Sequence, residues 1–83
     1  MKNTATIMFK INENEVQVDL EIPLNITANE LVTALNDAYN LQIDVTDIKQ
    51  CYLKAENPIA LLKGNKTLLE FGVRNGTIIY FTK

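Results

Sequence analysis

At 83 residues, with 47% apolar and 22% charged content and a formal net charge of −2, the chain is sized for one small globular domain, residues 1–83, and is too apolar for wholesale disorder. Its eight lysines and arginines are scattered, whereas a nucleic-acid or anionic-membrane surface needs a clustered basic surplus, so neither partner is expected. No stretch reaches the roughly 18–20 apolar residues of a membrane span, Lys10 breaks the only early apolar run, and the lone Cys51 permits no intrachain disulfide, so the protein reads as cytoplasmic.

The first elements follow from period-2 alternation. Residues 5–11 place Ile7, Phe9 and Ile11 on one side and Thr6, Met8 and Lys10 on the other. Residues 16–22 alternate strictly, Val16, Val18, Leu20 and Ile22 against Gln17, Asp19 and Glu21. Joined by residues 12–15, the two runs predict a hairpin with a four-residue loop. Pro23 ends the second run because it has no N–H for a ladder.

A helix opens at Thr27. Thr27-Ala28-Asn29-Glu30 fits a capping box, and Ala28, Leu31, Val32, Leu35, Ala38 and Tyr39 then fall on one helical face, with Asn40 as the stop. Residues 41–47 connect to a third strand predicted over 48–55. Cys51, Leu53 and Ala55 are expected inside and Gln50, Tyr52 and Lys54 outside, although Ile48 then falls on the wrong side and a one-residue slip would invert every assignment. Asn57-Pro58 reads as a turn, and 59–63 as an edge strand ended by Gly64-Asn65. A short turn with apolar residues at 68, 71 and 73 leads to an Asn75-Gly76 corner and a last strand over 77–82. One helix across one face of a mixed sheet of four to five strands is an α+β arrangement.

Catalytic chemistry has little to use. With no histidine in the chain, neither the commonest general base nor the commonest metal ligand is present, and Cys51 lacks that usual partner for activation. Its strand position favours an inert buried thiol. Gly64, Gly72 and Gly76 form no phosphate-cradling loop. The hairpin acids Glu13, Glu15, Asp19 and Glu21 follow no known ion-loop spacing and read as a solvated edge. No catalytic residue, metal site or cofactor is assigned.

The element order resembles ubiquitin over nearly the whole chain. Leu68-x-x-Phe71-x-Val73-x-Asn75-Gly76-Thr77-Ile78 resembles that family's turn and last strand. The likeness implies a β-grasp with the first and last strands side by side in mid-sheet, and with Leu68, Phe71 and Val73 plugging the core beneath the helix. Within that fold the chain most resembles the small YukD/EsaB-type proteins of Gram-positive type VII (ESX-like) secretion systems. The points of likeness are its short length, residues 18–23 leading to the helix, Lys63-Gly64 before the Leu68 turn, and an end directly after the last strand. The resemblance implies a cytoplasmic, non-conjugated accessory or regulatory component that binds a secretion-apparatus protein. A monomer or weak homodimer is expected, because the edge near Ile59–Leu62 has few charges and is open to strand pairing. The alternative is a covalent modifier or sulfur carrier, disfavoured because those proteins carry a Gly-Gly tail where Thr82-Lys83 stands here.

A helix covers only one side of a sheet. If Ile78 and Tyr80 point to the core, Ile79 and Phe81 point outward and lie near Met8 and Tyr52, edged by Lys10 and Lys54. Such an apolar patch is the expected protein-interaction site.

Overall fold

The computed structural model describes residues 3–12 and 15–82; Glu13 and Asn14 of the expected hairpin loop lie outside the described residues. Strands β1 (Thr4–Ile11) and β2 (Val16–Pro23) form the antiparallel hairpin, in a register that sets Phe9 against Val18 and Met8 against Asp19. Helix α1 (Ala28–Tyr39) follows, then β3 (Leu53–Glu56), β4 (Ala60–Leu62), the one-turn helix α2 (Leu68–Phe71) and β5 (Ile78–Phe81). The sheet order is β2-β1-β5-β3-β4, with β1 and β5 parallel in the middle and the other pairings antiparallel. The helices pack across one face, so the α+β arrangement holds, with five strands.

Local chemistry explains the helix boundaries. Thr27 Oγ1 accepts from the Glu30 N–H while Glu30 Oε1 accepts from the Thr27 N–H, completing the capping box. The end is Asn40 in the left-handed region, φ 51°, its N–H donating to the Asn36 carbonyl. Ala28, Leu31, Val32 and Leu35 are buried as the periodicity requires; Ala38, assigned to the same face, is exposed. Thr67-Leu68-Leu69-Glu70 is a second capping box, and Gly72 closes α2 at φ 84°. Thr27 and Thr67 form an isolated bridge, and Leu68 and Leu69 donate to the carbonyls of Ile26 and Leu24. The two helix starts are thereby held against each other.

The core lies between sheet and helices. It holds Ile7, Phe9, Leu53, Leu62, Leu68, Val32 and Ile79 with essentially no exposure. The Phe9 ring lies 5.0 Å from that of Tyr39. Leu68 and Val73 are buried and Phe71 packs against the core, as the turn motif implied.

The third strand is shorter than expected. Residues 45–51 form turns and bends because two aspartates, Asp44 and Asp47, capture backbone donors there. Asp44 Oδ1 accepts from the Thr46 N–H at 3.0 Å and Asp47 Oδ1 from the Lys49 N–H at 2.9 Å. Such side-chain bonds compete with a ladder. Ile48 is left 83% exposed, which removes the register conflict it posed. From Cys51 onward the expected alternation holds, with Cys51, Leu53 and Ala55 inside.

Candidate protein-interaction face

The side of the sheet away from the helices carries the candidate site, and strand register fixes its layout. Residues directly opposite on neighbouring strands share a face. Lys10 lies opposite Gln17 and Tyr80, and Lys54 opposite Tyr80 and Leu61. These residues form one row across the sheet: Gln17, Lys10, Tyr80, Lys54, Leu61. The adjacent row is Asp19, Met8, Ile78 and Glu56, from the pairings of Met8 with Asp19 and Ile78 and of Glu56 with Ile78. Gln17 Nε2 lies 3.4 Å from Met8 Sδ, and a shallow hollow of about 620 Å³ is lined by Lys10, Gln17, Glu56, Ile78 and Tyr80.

This layout corrects the last strand. Ile79, expected outside, is fully buried, and Phe81 packs on the core; the outward residues are Ile78 and Tyr80. The cause is pairing. Phe9 is a core residue and Ile79 is its partner across the parallel ladder, so both face the helices. The Asn75-Gly76 corner sets that register: Asn75 Oδ1 accepts from the Thr6 N–H, Gly76 N–H donates to the Thr6 carbonyl, and Met8 N–H donates to that of Thr77. Buried Thr77 fixes the corner from the other side, its hydroxyl donating to the Asn57 carbonyl at 2.8 Å and accepting from the Arg74 N–H at 3.0 Å.

Of the residues assigned to the patch, Met8 and Lys10 are half-buried on the open face and Lys54 is exposed on it. Tyr52, half-buried just before β3, lines a hollow of about 200 Å³ together with Lys54 and Tyr80. The structure therefore brings together Met8, Lys10, Tyr52 and Lys54, and replaces Ile79 and Phe81 with Ile78 and Tyr80. Asp19 and Glu56 flank the apolar centre and were legible only through register.

Cys51 is held as a structural thiol. Cys51 is buried, its Sγ 3.6 Å from Asn29 Oδ1, and burial followed by the negative charge of Asp44 pushes its thiol above the usual value. A protonated thiol is a poor nucleophile. Among the described residues no three His, Cys, Asp or Glu side chains are grouped to hold a metal, and no helix is long and apolar enough to cross a membrane.

Residues 6–81 match the protein-family model described as "WXG100 protein secretion system (Wss), protein YukD". The chain belongs to the YukD family. Its fold is ubiquitin-like. No curated protein matches it. Among solved structures it is similar to a ubiquitin-like domain from tubulin-binding cofactor B, with TM-score 0.76 and 17% identity over 100% of this chain and 92% of that one. It is also similar to the C-terminal ubiquitin-like domain of mouse tubulin-specific chaperone e, with TM-score 0.72 and 15% identity over 98% and 87%. The ubiquitin-like domain of the Mycobacterium tuberculosis type VII secretion system protein ECCD1 aligns with TM-score 0.56 and 18% identity over 96% and 98%. At these identities the likenesses show the ubiquitin-like fold of a YukD-family chain.

Proposed function

We propose that this YukD-family chain is a cytoplasmic accessory component of a type VII secretion apparatus, and that it holds a protein of that apparatus against its open sheet face. In this reading residues 1–83 act as one ubiquitin-like domain that takes no nucleic acid and does not insert in membrane. The observation that carries the site is the apolar centre of Met8, Ile78 and Tyr80, set between charged residues on a face no helix covers. An apolar centre with a polar rim is the usual anatomy of a protein-binding patch. Family membership supports the secretion context.

The test is complementation. Cells lacking the protein receive either the wild type or Ile78→Asp, and export of a WXG100-class substrate is measured beside co-purification with the apparatus. Ile78→Asp is expected to keep a folded amide spectrum while losing both co-purification and export. Full export and unchanged co-purification by the folded variant would remove the open face from the mechanism.

A further inference from the structure

The charges on the open face are sorted by row. The row through Tyr80 is cationic, with Lys10 and Lys54 on either side of it. The next row, through Met8 and Ile78, is anionic, with Asp19 at one end and Glu56 at the other. The rows are two residues apart along each strand, about 6.6 Å. A two-fold axis lying between and parallel to them, in the plane of the face, carries each cationic row over the anionic row of a second copy. Strand by strand, Lys54 then falls over the second copy's Glu56, Tyr80 over Ile78, and Lys10 over Met8 within reach of Asp19. A charge pattern that is its own complement under a two-fold rotation is the requirement for an isologous contact.

We infer that the open face docks a second copy of this chain, sheet against sheet, in a two-fold dimer held by the apolar centre and by reciprocal Lys54–Glu56 pairs. This rests on the register of the charges and not on the secretion reading; it also implies that self-association and partner binding compete for one surface. The molecule measures 34 × 28 × 21 Å, and one face of so small a sheet gives a contact of about 1,000 Å² in total or less, the size class of weak, transient interfaces. The dimer is therefore expected only at high concentration, and more at low salt than at high salt.

Sedimentation velocity and diffusion NMR from about 20 µM to about 1 mM bracket an interface of that class. The wild type is expected to dimerise within that range. Lys54→Glu and Glu56→Lys each replace two attractive pairs with two repulsive ones, and each is expected to weaken the dimer at least about tenfold. Both sites are exposed, so the amide spectra should stay native. Mixing the two variants restores attraction across the contact and should restore association, as should the double variant carrying both changes. A wild type that stays monomeric throughout overturns the inference. So does a dimer of equal strength in all four proteins, the result expected if copies instead pair through the β4 edge.

Discussion

Ile78 and Ile79 are chemically identical neighbours with opposite fates. Ile79 is fully buried behind the parallel ladder, whereas Ile78 is half-exposed on the open face. A carboxylate at position 79 would be desolvated with no cation to pair with. Leaving one charge uncompensated in a protein interior costs about 3–5 kcal/mol, against a total stability of about 4–12 kcal/mol for a chain this long. Ile79→Asp is therefore expected to be largely unfolded by circular dichroism at 25 °C, or to melt far below the wild type. Ile78→Asp, with water beside it, should cost about 1 kcal/mol or less. Equal stabilities for the two variants would refute the register of β5, and with it the composition of the binding face.

The capping box of α2 couples that element to pH. Glu70 receives hydrogen bonds from the Thr67 backbone N–H and then from its hydroxyl, and these hold its carboxyl below the usual 4.5. A depressed folded pKa stabilises the protein fully above the unfolded value, and the gain is lost as pH falls through the folded value. Glu70→Gln keeps the shape of the cap without the charge. The wild type is expected to have the higher urea midpoint at pH 7, and the gap should close as pH falls below about 4.5. A gap that persists at pH 2 would place the effect elsewhere. The first box, Thr27 to Glu30, was legible in sequence because it stands before a long periodic helix. The second, Thr67 to Glu70, was hidden because α2 spans only four residues, too few to show a 3.6-residue period. The open face was half legible for a related reason. Met8, Lys10 and Lys54 sit in alternating strands whose inner and outer sides differ in polarity. Ile78-Ile79-Tyr80-Phe81 is apolar throughout, so alternation carries no information there, and only the corner at Asn75-Gly76 and its pairing with β1 decide the register.

At the scale of the whole molecule, the pairing of the first and last strands closes the fold. β1 and β5 are each hydrogen-bonded on both sides and bury their own Phe9 and Ile79 fully; β4 is a three-residue edge whose middle residue, Leu61, is exposed. The Cα radius of gyration, 11.6 Å, agrees with the roughly 11.8 Å of a close-packed chain of this length. Opening β1 or β5 requires parting the sheet at its centre and uncovering the core, which is global unfolding. β4 has one ladder partner, β3, and can part from it at the cost of uncovering one fully buried side chain, Leu62, and residues 44–51 are held largely by local bonds from Asp44 and Asp47. Native-state hydrogen exchange should reflect that difference. Amides of Phe9 and Ile79 are expected to exchange at the global unfolding free energy measured by denaturant. Those of β4 and of 44–51 should exchange at least about a hundredfold faster, through local openings insensitive to low denaturant. Protection in β4 equal to that in β1 would show the edge to be covered in solution. Because the sheet-to-sheet dimer covers the open face and leaves that edge bare, the same measurement at high protein concentration would separate that dimer from pairing through β4.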